Sequence, residues 1–499
     1  MSEKTSGDVE RSNQEVQDDN LVDWEGLDDP KKPLNWTPRK KNAHVAIISA
    51  ITLTANLAST MFAPGALLLV SEFGITSSTV GSLTVSIYIL GFAVGPLVLA
   101  PLSELYGRLV IYHVCNAVFI AFTLGCALAS NTGMFLAFRF LAGCAGAAPL
   151  TIGGGSIADM FAPEHRGAAM GAWAAGPLIG PVLGPIIGGF VSQAIGWRWT
   201  FWLILILSGI ISICALVFMR ETYSPVLLAR KAANLRKATN NPALVSKLDK
   251  GIAPKTLLAR AVVRPLKLLV LSPIVSLLSI YTAFSFSLIY LLFTTFPIVF
   301  SEQYHFGTGT AGLSYLGIGI GFFLSLVLFG ALSDRILKQL AARERNPDAP
   351  GNETNEEDKS APIKTKPEWR LPLMVYFAPT LPIGLFWYGW AADQKTHWIV
   401  PILGTGLVGI GALFVMMPAM SYLVDAFDSE AAASALAANT LVRSLLGAFL
   451  PMAGPPLYEA LGLGWGNSLL GFIGLAFVPV PYIFWRYGER IRKRWAVSF

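Results

Sequence analysis

Charge is scarce in this chain. Only 14% of its 499 residues are Asp, Glu, Lys or Arg, against about 25% in a soluble domain. With 54% hydrophobic residues and a mean hydropathy of +0.56, a water-soluble core is excluded. Cysteine is scarcer still. Cys115, Cys126, Cys144 and Cys214 all lie inside apolar runs, which excludes a disulfide framework and leaves them as small apolar fillers. The five histidines show no metal-ligand spacing, so no metal or other cofactor is expected. No Gly-rich loop ends in Lys-Ser/Thr, and GLGWGN and GIGIGF lack nucleotide-fingerprint spacing, so ATP hydrolysis is excluded. GGSIA at 154–158 resembles a nucleophile elbow only in part, ending in Ala within an apolar run, so no enzyme is expected. No cleavable signal is visible. Positions 1–30 carry ten acidic residues against Lys4 and Arg11, and the first 43 residues read as a disordered tail.

The apolar sequence falls into twelve runs, at 44–70, 79–101, 109–130, 133–158, 167–191, 198–218, 271–300, 309–331, 371–391, 397–424, 431–459 and 465–486. Each approaches or exceeds the roughly 20 residues needed to cross hydrocarbon. Continuous rather than alternating hydrophobicity favours helices over a barrel. An all-α membrane protein with twelve transmembrane helices is therefore expected. Of the 37 Lys and Arg, 33 fall on one side of these spans and two, Arg198 and Lys395, on the other. By the positive-inside rule both termini are cytosolic. The net charge of +6 then describes loops beside anionic lipid, with no nucleic-acid site.

The longest connection divides the chain into a tail at 1–43, six spans over 44–218, a basic linker at 219–270, six more spans over 271–486, and a basic tail at 487–499. PVLLARKAANLRKA and TLLARAVVRPLKLLV in the linker place apolar residues at helical spacing. A membrane-surface helix and a helix packed under the bundle are both open readings. The 332–370 loop reads as a flexible tether. The halves echo each other: APLSELYGRL leaves span 2 and GALSDRILK leaves span 8, each with Leu-Ser-carboxylate and then a basic residue. Two six-helix bundles related by a parallel repeat are one transporter architecture.

The most specific stretch is GAWAAGPLIGPVLGPIIGGF at 171–190, with nine Gly or Pro in twenty residues. Gly176, Gly180, Gly184 and Gly188 recur every four residues beside a stripe of Pro177, Pro181 and Pro185. In lipid such small-residue stripes let another helix approach closely. We expect them to face a helix of the opposite bundle and to bend span 5.

With these motifs the chain resembles the major facilitator superfamily over about 44–486, and within it the fungal twelve-span drug:proton antiporters. Gly171, Gly180, Gly184, Pro185, Gly188 and Gly189 match the antiporter signature of span 5 without a mismatch. The loop after span 2 resembles the family's signature there, with Glu104 in the aspartate place, Gly107 at the turn and Arg108 as the final base; Leu105 replaces its internal arginine. Asp334 and Arg335 match the second copy, where Leu337 replaces the glycine. Arg139 and Gly143 match the span 4 signature, and the Asn-Trp lead-in before span 1 resembles the fungal group. The resemblance implies proton-coupled efflux of amphipathic drugs, toxins or a metabolite by alternating access. It implies a monomer in the bilayer whose partners are protons and a small-molecule substrate, in the plasma membrane or the vacuolar membrane. Proton-coupled uptake of polyamines or a nutrient, and a non-transporting sensor, stay open.

Ionisable groups inside spans point to function, since an arginine there costs at least about 2.5–3.5 kcal/mol. Arg139 and Arg443 are therefore expected in coupling. Asp159 is expected at the cytosolic gate with Glu104, Arg108 and Arg166. No carboxylate stands near a span centre; bacterial relatives carry one in span 1, where this chain has Asn56. Asp159, Asp425 and Glu104 remain as proton carriers. Asn439 shares a helix face with Arg443. Asn56, Tyr88, Tyr281, Phe284, Tyr290, Trp387, Tyr422 and Asn439 are expected around the substrate cavity.

Overall fold

A computed structural model describes residues 20–495 apart from 27, 163–164, 250, 252–253, 346–365 and 428. Eleven helices in it are long and apolar enough to cross a membrane. The last runs over Ala431–Arg494 and is broken at Gly462, whose φ of 75° no regular helix accepts. The chain reverses there. Gly447 lies against Phe286 and Phe477 against Phe284, so residues thirty apart share one level, where a straight helix would separate them by about 45 Å.

Span 1 begins at Pro38 and its helix runs to Thr60. Span 2 is Ser78–Tyr106, span 3 Arg108–Ala127, span 4 Thr132–Met160, span 5 Gly167–Ile195 and span 6 Arg198–Phe218. In the second half span 7 is Pro273–Tyr304, span 8 Thr308–Leu337, span 9 Pro367–Asp393 and span 10 Ile399–Ala426, followed by the broken helix. The halves meet along two seams, where span 2 packs on span 11 (429–461) and span 5 on span 8. The layout is that of the major facilitator fold.

The glycines of span 5 face elsewhere than expected. A side-chain carbon at Gly176, Gly180, Gly184 or Gly188 would strike Leu53, Asn56, Thr60 and the carbonyl of Met61 respectively. All four partners belong to span 1, in the same bundle. The stripe thus draws spans 1 and 5 into backbone contact, and its assignment to the opposite bundle is corrected. The opposite bundle is met by the flanking face: Gly189 abuts the Thr308 carbonyl, Val182 abuts Gly319, and Gly312 sits on the Pro185 carbonyl. That carbonyl and its neighbours belong to a helix whose three internal prolines cannot donate backbone hydrogen bonds. Gly171 has open space around it.

Two connecting segments are more ordered than expected. Residues 20–43 are not a free tail: strand β1 (Leu21–Val22) pairs in parallel with β2 (Val245–Ser246) of the linker. Lys247 bonds Asp23 at 2.7 Å and Lys231 bonds Glu25 at 3.2 Å, and the Lys247 ammonium holds the Asp23 carboxyl below its usual range. The linker itself carries helices at Ser224–Thr239 and Pro254–Leu271. In the 332–370 segment, helix continues to Arg345 and a turn begins at Pro367; residues 346–365 lie outside the described ones.

Candidate functional site

The site is built from the break in span 1. Its α-helix ends at Thr60 and gives way to a 3-10 turn at Ala63–Gly65, where Pro64 has no N–H to offer. Arg139 supplies donors at this break. Its Nη1 donates to the Ala58 carbonyl at 2.7 Å and its Nη2 to the Ser59 carbonyl at 3.1 Å. The side chain is 1% exposed. Its guanidinium carbon lies 4.9 Å from the Tyr88 ring centre, 5.4 Å from Phe201 and 5.7 Å from Phe62, each within cation–π reach. The buried cation thus caps a helix break and is walled by aromatic faces.

From there a polar row crosses between the bundles. Ser59 donates its hydroxyl to the Asn56 carbonyl at 2.7 Å, leaving its oxygen to accept from Tyr290 of span 7 at 3.3 Å. The Tyr290 ring lies 4.9 Å from Phe286, and Arg443 sits over Phe286 at 4.9 Å. Arg139 and Arg443 thus stand at opposite ends of a short chain of contacts, with Tyr290 in electrostatic reach of both.

An open cavity of about 620 Å³ lies between the bundles at the end opposite the termini. Ala63, Val70 and Ser82 line it from the first half, Thr294, Asp393 and Glu459 from the second. Ala63 is one helical turn from Ser59 and Thr294 one turn from Tyr290, so the cross-bundle hydroxyl contact lies beneath its floor. This volume falls within the range of small-molecule sites, about 300–1,000 Å³.

The cavity is not walled by the residues expected there. Tyr88 is buried with its hydroxyl on the Ala55 carbonyl at 3.0 Å, and Asn56 is turned back onto Thr52. Asn439 binds Thr282 at 2.6 Å. Tyr281 stacks on Phe477 at 5.1 Å, and both Tyr281 and Tyr422 belong to a packed core at the terminal end. Phe284 is buried beside Phe477, while Trp387 is exposed on the outer surface. Tyr290 alone of this group stands at the bundle interface beneath the cavity. Aromatic content could not distinguish wall from core, because the two differ only in which helix face is turned inward.

At the terminal end Arg108 meets Asp159 at 3.5 Å, donates to Ser103 at 2.5 Å and lies 4.6 Å from the Tyr223 ring. Burial raises the Tyr223 hydroxyl pKa above its ordinary value. Glu104, expected in this group, is exposed and outside the ion pair. Its place is taken by Glu221, which sequence reasoning passed over. The Glu221 carboxylate accepts from the backbone N–H groups of Arg108 at 2.9 Å and Leu109 at 3.2 Å, an anion at the N-terminus of span 3. Gly107 at φ 100° lets it approach, since any side chain there would strike the carboxylate. The available signal was an acid in RETY directly after the apolar run of span 6. Arg166 donates to the carbonyls of Phe161 at 2.8 Å and Ala158 at 3.0 Å, closing the end of span 4, and meets no carboxylate among the described residues.

The second half repeats the arrangement with residues the sequence motif did not mark. Arg370, at the start of span 9, meets Asp425, at the end of span 10, at 2.8 Å. That joins the third and fourth helices of a half, as Arg108 and Asp159 do. Arg492 pairs with Glu368 at 3.2 Å. Arg335 is exposed, and the side chain of Asp334 lies outside the described ones.

Comparison with known proteins agrees with this architecture. The family model of the Major Facilitator Superfamily matches residues 48–451. The chain is 59% identical to MFS transporter prlG of a fungal species, over 99% of this chain and 100% of that one. It is 57% identical to MFS transporter fsa7 of a Fusarium species, covering 99% and 94%. It is 54% identical to the "Trichosetin biosynthesis cluster MFS transporter" of Gibberella fujikuroi, covering 96% and 90%. Among solved structures, the inward-open xylose transporter of E. coli shares the fold with a TM-score of 0.63 at 14% identity, over 89% of this chain and 96% of that one. The chain belongs to the major facilitator superfamily. It is a multi-pass membrane transporter of small molecules, and not an enzyme.

Proposed function

We propose that this transporter exports an amphipathic small molecule, a secondary metabolite of the cell that makes it, in exchange for protons. The observation that carries the reading is the 620 Å³ cavity between the bundles above the Ser59–Tyr290 contact. A cavity open at one end and floored by a contact between halves is what alternating access requires. Export is supported by the complete Gly-Pro signature of span 5, whose glycines draw the helix into backbone contact with span 1. The metabolite is supported by relatives such as the one named for the trichosetin biosynthesis cluster. In this reading the chain is a monomer that crosses the membrane twelve times with both termini in the cytosol.

Arg139 and Arg443 hold the interior of the path positive, and Arg108–Asp159 and Arg370–Asp425 tie each half together at the cytosolic end. Protons exchange at Asp159, Asp425 or Glu104, carboxylates at the terminal end of the bundles. Inside-out vesicles with an acidified lumen should accumulate the metabolite and alkalinise as they do so. Accumulation only when the gradient is reversed would establish uptake instead. Accumulation unchanged by collapse of the gradient would remove the proton.

A further inference from the structure

The second linker helix, Pro254–Leu271, packs on span 11 and span 2. Its Ala261, Pro265 and Leu268 are turned toward the protein, with Leu268 fully buried. The opposite face is apolar and uncovered: Val262, Val263 at 58% exposure, Leu266, and Val270 at 82%. At 100° per residue these four form one stripe. Arg260, Arg264 and Lys267 fall together along one flank of it. An apolar stripe with a cationic edge is the signature of a helix lying in the membrane interface. The stripe is continuous with lipid-facing surface, because Ser272 leads directly into span 7, whose Leu277 and Ile280 are also exposed.

Beside this helix lies a notch of about 340 Å³, bounded by Pro96, Leu97 and Pro101 of span 2, Ala433 of span 11, and Arg260 and Arg264 of the linker helix. Glu104 also lines it. Apolar walls, a cationic rim and a lipid-facing helix together fit one class of ligand. We propose that the notch seats the phosphate headgroup of an anionic phospholipid from the leaflet on the terminal side, its acyl chains lying along Val263, Leu266 and Val270. The lipid then sits at the seam between spans 2 and 11, where the two bundles must move relative to each other. This site is separate from the cavity and does not depend on the direction of transport.

The test is native mass spectrometry of the purified full chain, titrated with equal mole fractions of dioleoylphosphatidylglycerol and dioleoylphosphatidylcholine. We expect phosphatidylglycerol to be retained about five- to tenfold more, as cations near headgroups favour anionic lipid. The preference should fall to parity in Arg260→Gln/Arg264→Gln. It should fall likewise in Ala433→Trp, which fills the notch without removing charge and keeps the test open if the double variant fails to fold. Arg490→Gln/Arg494→Gln in the C-terminal helix should keep the preference. Millimolar inorganic phosphate should not displace the lipid; if it does, the notch is a free-phosphate site and the lipid proposal falls. Equal retention of both lipids by the wild type, or a preference that survives filling of the notch, would also overturn it.

Discussion

The hydroxyls of Ser59 and Tyr290 meet at 3.3 Å across the two bundles, one helical turn beneath the open cavity. Ser59 carries on its own carbonyl the guanidinium of Arg139, so a movement of Tyr290 is felt at a buried charge. One neutral hydrogen bond contributes about 1 kcal/mol, or roughly a fivefold shift in a two-state equilibrium. Tyr290→Phe should therefore open the floor about fivefold more often, read as faster alkylation from the cavity side of a cysteine placed at Ser287, which is fully buried just below Tyr290 in span 7. An unchanged rate would show that the contact is not a latch.

Arg139→Ala strips donors from two buried carbonyls, at about 1–3 kcal/mol each. Loss of transport should thus come with a clear fall in thermal stability, and not in a protein that is otherwise intact. Arg139→Lys should recover part of the stability and less of the transport, because an ammonium cannot serve two adjacent carbonyls with guanidinium geometry. Thermal unfolding in detergent beside vesicle transport separates the two effects. An Ala variant of wild-type stability would contradict the capping role.

The span 5 glycines should behave as an intrabundle contact. Gly188→Ala drives a methyl into the Met61 carbonyl and Gly184→Val crowds Thr60, so both should lower folded yield before any effect on exchange appears. Gly171→Ala, in open space, should leave yield and transport unchanged. Normal yield of Gly184→Val with proton leak would restore the bundle interface as the glycines' partner.

The repeated ion pairs predict matched defects. Arg108→Ala and Arg370→Ala should each slow transport, with the larger stability loss at Arg108, whose pair is 13% and 19% exposed against 26% and 33% for Arg370–Asp425. Glu221→Ala should cost more, about 0.5–2 kcal/mol, because it also uncaps span 3. Stability ranked in the reverse order would show that Glu221 is not the anchor.

Orientation has its own check. Asn35-Trp36-Thr37 and Asn352-Glu353-Thr354 are glycosylation sequons in segments assigned to the cytosol, and both should stay unmodified. A glycosidase-sensitive mass shift would invert the topology; Asn352 itself lies outside the described residues.

The positions of the long apolar helices were legible in the sequence because hydropathy acts locally. What each residue touches was not. The Gly stripe announced a close helix contact but not its partner, since spans 1 and 8 both offer small or polar surfaces at the right depth. Arg370 and Glu221 were missed because their roles depend on helices far away in the chain. The repeat survives there as geometry, with Arg108–Asp159 matched by Arg370–Asp425, and not as a shared sequence motif.

Alternating access is tested most directly by two distances in one protein reconstituted in vesicles. Spin labels at Val70 and Glu459 report the cavity end, and labels at Leu97 and Ala437 the terminal end. On adding substrate with a proton gradient, the first distance should shorten as the second lengthens. Two distances that stay fixed, or that change in the same direction, would contradict the account.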